Sequence, residues 1–423
     1  MNLVESPMIY GLNRIKDQEL RQKISYLLES EDYSKAFLTT DYSVVQNPVG
    51  VYPPFDIYPL PKPKLQRLPK LDIVLMDMDG TTTTTEVLCL HALETLVVKL
   101  SGDPDLVLDK VKDYPHIIGD STTKHIEYLI AKYRKSFSLS ATKAAFLEAV
   151  SWNIKHAKDA DRKNEANAAK RLFLSENSTE MSNMSQALLL KIGIEIYYQR
   201  YHFILSSIDK GEGDALSAAL TDGRNLIEPM DGIAIFLVFI KGWLGDEVDF
   251  IQEYFSLSPA AFKKLKSVAS RFAEHDTKVG LVTSSTSYEA GVVLSQVFTL
   301  IRQEISDWPI SSKRKKDILS RLKSYTSYYD TVITASDSNE IRLKPHRDLY
   351  GIALRNLGHK PNDIVLGLED SEPGILALRA AGVPYAVAVP FEHTTGHDVR
   401  AAWKVAEAGA KSVLLDDFLY LET

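Results

Sequence analysis

Asp77 and Asp79 stand two residues apart at the end of an apolar run, LDIVLMDMDG, and five threonines, Thr81 to Thr85, follow the glycine. Two carboxylates this close can divide labour, one as nucleophile and one as proton carrier. The same residues would also suit a plain strand running into a polar turn, so other parts of the chain have to discriminate. Two later apolar runs end in polar groups as well. KVGLVTSS carries Thr283 and Ser284, and DIVLGLED carries Glu369 and Asp370. Lys344 lies just ahead of a helix-like stretch in RLKPHRDLYGIALRNLG. Were these ends to meet, several carboxylates, hydroxyls and one lysine would converge. Like charges packed together repel unless a cation neutralises them. Hard oxygen donors without His or Cys favour Mg2+. A nucleophile, a cation, an acid/base and donors for the transferring oxygens make a phosphoryl-transfer site.

The elements that must bring them together can be read from periodicity. LDIVLMDMD, KVGLVTSS, DTVITASD, DIVLGLED and YAVAVP are short β-branched apolar runs that suit strands buried on both faces. Helical patterns such as HRDLYGIALRNLG and SEPGILALRAAG alternate with them, which predicts an α/β fold with a Rossmann-like parallel sheet. Residues 86–274 read as helix after helix, with a polar loop over 158–185. The predicted core is therefore 71–85 plus 275–423, interrupted after its first strand by an all-helical cap over 86–274. In open parallel sheets, ligands bind at the C-terminal strand ends, beneath such an insertion. Residues 1–70 are predicted to form one helix around 13–30 and a strap over 47–70, whose seven prolines exclude a regular helix or a central strand.

DMDGT, LVTSS, LKPHRDLY and GLEDSEPGILALRAAGV, in this order, resemble the four motifs of the haloacid dehalogenase (HAD) superfamily. The nearest resemblance is to its capped phosphatases and β-phosphoglucomutases, whose helical cap lies between motifs one and two. It covers residues 71–86 and 277–395, and the cap is matched by position and helicity alone. The resemblance implies that Asp77 is the nucleophile, forming an aspartyl-phosphate. Asp79 would protonate the leaving oxygen and then activate water, its backbone carbonyl binding the metal. Thr283 would donate to the phosphoryl group, and Lys344 would orient that group and balance its charge. Asp370 would be the main Mg2+ ligand, with Glu369 beside it, and Gly80 would turn the chain. Thr81 and Ser284 are further candidates for contact with substrate. DGTTTTTE keeps the length of the family's segment, roughly DGTLVDSE, but Thr84 replaces the usual aspartate; the tract is expected to be an extended, water-tolerant hinge. Arg347 replaces the proline many relatives carry after KP. HIIGDSTTKHIEYLIAKY occupies the place of a specificity loop, which makes Lys124 and His125 candidates for reaching substrate; a turn and helix N-cap would explain it equally well.

Composition excludes several classes. The hydrophobic fraction is 45%, the charged fraction 25% and the net charge -7 over 423 residues, so no nucleic-acid partner is expected. One cysteine, Cys89, excludes a disulfide framework within the chain. The most apolar run, GIAIFLVFIKGWLG, is too short to span a bilayer and reads as a buried helix. No signal peptide is evident, so a cytoplasmic location is expected. The leading expectation is a Mg2+-dependent phosphatase for a small phosphorylated metabolite. A phosphomutase is the first alternative, weakened because Cys89 stands where mutases carry a cap histidine. A non-catalytic scaffold on the same core is the second. A homo-oligomer joined through the N-terminal strap is the one macromolecular partnership the sequence suggests.

Overall fold

The computed structural model describes residues 8–15, 17–29, 40–48, 50–64, 68, 70–117, 121–158, 160–176, 178–338, 341–394, 396–407 and 409–415. Gly119 and Asp120 of the expected specificity loop lie outside them. The chain forms two compact units, one of Met1–Thr82, Pro229–Thr286 and Phe298–Thr423, the other of Thr83–Glu228 with Ser287–Val297.

The first unit holds two sheets. A small one joins β1 (Ile9–Tyr10), β2 (Asp41–Gln46) and β3 (Phe55–Leu60), with β2 and β3 antiparallel. The large sheet contains β4 (Ile73–Asp77), β5 (Lys278–Val282), β6 (Thr331–Ile333), β7 (Val365–Glu369), β8 (Tyr385–Ala388) and β9 (Lys404–Val405), all parallel, in the order β6-β5-β4-β7-β8-β9. This is the α/β core the apolar runs predict. β4 is buried along its whole length because helices cover the sheet. Helices Asp348–Asn356 and Glu372–Ala380 supply Leu349, Tyr350, Ala353, Ile375, Leu376 and Leu378 to one buried cluster with Ile73 and Leu75. Each fully buried aliphatic side chain of β4 contributes roughly 1.5–3 kcal/mol. Together they outweigh the cost, several kcal/mol, of ending the strand in a buried charge.

Three sequence expectations change. The helical insertion does not run to 274: Pro229–Thr286 belongs with the sheet. The apolar helix Ile233–Ile240 is wholly buried; the Leu237 carbonyl accepts from the Tyr328 hydroxyl at 2.8 Å, and Lys241 donates to the Thr277 carbonyl at 2.8 Å. Helical periodicity alone cannot say which unit a helix joins. The stretch read as a loop over 158–185 contains a helix, Ala160–Glu176. Its alanines and long charged residues are strong helix formers despite their low hydrophobicity. The first part of the strap belongs to a hairpin: Phe55–Leu60 pairs with Asp41–Gln46, Pro53 and Pro54 lie in the connection, and Pro59 is tolerated because β3 is an edge strand.

Among its described residues the regular elements of the second unit are helices, joined by turns and loops: Glu86–Ser101, Thr122–Tyr133, Leu139–His156, Ala160–Glu176 and Gln186–Asp209 are long ones. Lys124 is half-buried and His125 buried within it. Cys89 Sγ lies 3.0 Å from the Tyr197 hydroxyl.

Candidate active site

β4 ends at Asp77 and its parallel neighbour β7 ends at Glu369. Met76 pairs with Leu368, so the next residues on the two strands, Asp77 and Glu369, stand side by side. On the other flank Asp77 pairs with Val282, which puts Thr283 one step beyond. Strand ends separated by more than 200 residues of sequence thus reach one edge, because a parallel sheet aligns its C-termini.

Lys344 lies between the two acids. Its ammonium donates to Glu369 Oε1 at 2.6 Å and to the Val282 carbonyl at 3.3 Å, and it pairs with Asp77 Oδ1. Burial pulls the lysine pKa down, but the two carboxylates outweigh it and push it up. Burial pushes the Asp77 carboxyl well up, Glu369 adds to that, and Lys344 opposes both. Glu369 is gripped from every side. Oε1 also accepts from the Tyr350 hydroxyl at 3.0 Å, and Oε2 accepts from the Ser371 N–H at 3.2 Å and hydroxyl at 3.0 Å. It lies so close on Gly374 that a Cβ there would sit 1.8 Å from Glu369 Cδ.

Asp79 is half-buried and follows as the chain leaves the strand. Its Oδ2 accepts from the Thr283 hydroxyl at 3.2 Å and the Ser285 hydroxyl at 3.1 Å. Gly80 then turns at φ +82, where a Cβ would meet Asp370 Oδ2 at 2.6 Å. Thr81 Oγ1 lies 3.4 Å from Asp370 Oδ1. The threonine tract is not the water-tolerant segment the sequence suggests. Thr81, Thr82, Thr83 and Thr85 are buried, and Thr82 Oγ1 donates to the Asp77 carbonyl at 2.6 Å. Further on, the Thr84 N–H donates to the Glu228 carbonyl at 2.9 Å and Glu228 N–H donates to Thr84 Oγ1 at 3.0 Å.

Asp77, Glu369 and Asp370 each offer an oxygen within 4.8 Å of the others, and all three are buried. The set is hard, anionic and free of His and Cys, and its three buried carboxylates are met by one ammonium, that of Lys344, which touches Asp77 and Glu369. That excess of buried negative charge fits a divalent cation of the Mg2+ type.

The sequence therefore located Asp77, Asp79, Thr81, Thr283, Lys344, Glu369 and Asp370 at one edge. Ser284, expected as a substrate contact, is half-buried one residue past Thr283, and its neighbour Ser285, which the sequence did not single out, is the second hydroxyl on Asp79. Tyr350 was missed because only the fold brings it to Glu369, whereas Ser371 stands two residues past Glu369 as the N-cap of Glu372–Ala380, a local signal the sequence did offer.

No family model matches the chain, and no curated protein matches it. Among solved structures, CbbY from Rhodobacter sphaeroides in complex with phosphate is 14% identical, with 82% of this chain and 99% of that one covered, at a TM-score of 0.41. A putative β-phosphoglucomutase from Thermotoga maritima is 16% identical, with 81% and 97% covered, at 0.35. A HAD family hydrolase from Deinococcus radiodurans R1 with bound phosphate and sodium is 14% identical, with 82% and 99% covered, at 0.37. The solved structures this chain is similar to are thus HAD-family hydrolases and β-phosphoglucomutases.

Proposed function

We propose that the protein is a Mg2+-dependent phosphatase that hydrolyses a small phosphorylated metabolite through an aspartyl-phosphate on Asp77. The observation that carries this reading is the pairing of Asp77 with Lys344 beside Glu369 and Asp370, two residues from an Asp79 held by hydroxyls. With Oδ1 held by Lys344, Oδ2 of Asp77 attacks phosphorus and the bond to the leaving oxygen breaks. Asp79 gives that oxygen its proton. Water then attacks the phosphorus of the aspartyl-phosphate, Asp79 takes the water's proton, and inorganic phosphate leaves with Asp77 restored. Thr283 and Ser285 hold Asp79 for both transfers. Asp77, Asp370 and the Asp79 carbonyl would hold Mg2+, with Glu369 directly or through water; when bound it supplies charge for the transferring oxygens. Thr81 and Ser284 are the proposed substrate contacts.

The test is a screen of phosphorylated metabolites with Mg2+, scored by phosphate release, followed by acid trapping of the phosphoenzyme made from a labelled substrate. Label on Asp77, and loss of about a thousandfold or more in Asp77→Asn, are expected. Full turnover in excess chelator, or label on another residue, would sink the scheme.

A further inference from the structure

Lys344 sits in a loop whose two flanks are both held by the N-terminal hairpin. Two residues before it, Arg342 donates from one guanidinium nitrogen to Tyr58 Oη at 2.6 Å and to Asp56 Oδ2 at 2.8 Å. Two residues after it, His346 Nδ1 lies 3.3 Å from the same tyrosine hydroxyl. The Tyr58 hydroxyl reaches Asp56 Oδ2 at 3.0 Å, and the Arg347 guanidinium lies over the Tyr58 ring at 5.3 Å. His346 is not the solvated surface residue its type suggests: it and Tyr58 are both 4% exposed, while Arg342 is partly exposed.

The hairpin is anchored independently of that loop. Val45, Tyr58 and Leu60 pack with Ala380, and Arg379 donates to the carbonyl of Pro61, the residue just past β3, at 2.9 Å. Both partners belong to the helix that begins just past Glu369 and Asp370. One helix therefore fixes both the hairpin and the acids that Lys344 must meet.

We propose that the β2–β3 hairpin is a built-in clamp that positions Lys344, with Tyr58 and Asp56 holding Arg342 and His346 on either side of it. Tyr58 and Asp56 touch no reacting atom; they act through the loop. A long, flexible lysine loses rotamer freedom when ordered, so a site that needs its ammonium between two carboxylates gains from fixing the backbone on both sides. The N-terminal residues thereby acquire a task in the site, and the kinetic arm of the test rests on the phosphatase reading.

The experiment compares the full-length protein with Tyr58→Phe, which keeps the ring and removes the shared hydroxyl, and with the isosteric Asp56→Asn. Lysine acylation by acetic anhydride is followed residue by residue by mass spectrometry. Lys344 is 7% exposed and Lys241, far from the clamp in sequence and held by Thr277 and Asp330, is 9% exposed, so Lys241 is the internal control. We expect Lys344 to label about tenfold faster in both variants, the scale of losing a charge-assisted hydrogen bond, with Lys241 unchanged. With p-nitrophenyl phosphate and Mg2+, kcat should fall about tenfold while KM stays within about twofold. Unchanged Lys344 labelling in both variants, or an equal rise at Lys241, overturns the clamp. Absence of phosphate release from the unmodified protein would overturn the phosphatase reading and leave the labelling result to decide the clamp.

Discussion

Lys344 donates to Glu369 at 2.6 Å while pairing with Asp77, so a single ammonium bridges the ends of two adjacent parallel strands. Neither carboxylate alone needs so buried a lysine. Together they need it, because side-by-side acids at strand ends repel and water is excluded. The same ammonium lies 5.2 Å from the centre of the Tyr350 ring, whose hydroxyl holds Glu369.

Replacing Lys344 with methionine keeps most of the stem and removes the charge. Breaking one side of a buried ion pair typically costs about 3–5 kcal/mol. Lys344→Met should therefore melt well below the unmodified protein in chelator, and Mg2+ should restore part of the difference by supplying charge to the same acids. Differential scanning calorimetry with and without Mg2+ checks this. A variant as stable as its parent in chelator at neutral pH would show that Asp77 takes up a proton when the lysine is gone.

Asp370 should matter more to the cation than Glu369, whose oxygens already accept four hydrogen bonds from Lys344, Tyr350 and Ser371. A ligand at a hundred times its Kd stabilises a fold by about 2.7 kcal/mol. Mg2+ should raise the melting temperature of the unmodified protein and of Glu369→Gln, and fail to do so for Asp370→Asn. Titration calorimetry of the three proteins gives the affinities directly. Equal Mg2+ affinity in Asp370→Asn and the unmodified protein would remove Asp370 from the ligand set.

Two glycines offer a contrast that isolates the packing around Glu369. A Cβ at Gly374 would overlap Glu369 Cδ at 1.8 Å, whereas one at Gly351 in the helix Asp348–Asn356 meets nothing within 4 Å. Gly374→Ala must displace the carboxylate or the helix, at a cost of about 1–3 kcal/mol or more, and should cut phosphate release at least as sharply as it cuts stability. Gly351→Ala should be neutral or stabilising by roughly 0.5–1 kcal/mol, because alanine is the better helix former. Urea unfolding of both variants decides it. Equal stabilities would mean that Glu369 has room to move.

The sheet was legible because strands buried on both faces write themselves as unbroken apolar runs, as β4, β5, β7 and β8 do. The acids were legible because they sit at the ends of those runs. What stayed hidden depends on contacts between distant segments. Tyr350 reads as one more apolar residue of its helix, and its hydroxyl acquires meaning only against Glu369. Ile233–Ile240 is as helical as the insertion before it, and only Tyr328 and the sheet side claim it. Tyr58 looked like part of a proline-rich strap, since no local pattern pairs residues 41–46 with 55–60 across Pro53 and Pro54.

His346 gives a prediction in pH. Burial first, then the Arg342 charge, lowers its pKa to about 4 from an ordinary value of 6.5. Folding therefore favours the neutral ring, and stability from this residue is complete above the unfolded pKa. It is lost as pH falls from about 6.5 through about 4, since the unfolded chain takes up the proton first. Between pH 7 and 5 that loss is on the order of 2 kcal/mol. Carboxylates elsewhere also titrate below neutrality, so the informative quantity is a difference between two proteins. His346→Asn keeps a donor near the Nδ1 position, carries no titratable group and should be the less stable protein at pH 7. Its deficit should shrink by about 2 kcal/mol towards pH 5, measured by urea unfolding at each pH. A deficit that is constant with pH would mean that His346 titrates normally, and the tight packing of the Tyr58 hydroxyl, Arg342 and the imidazole would have to be relaxed in solution.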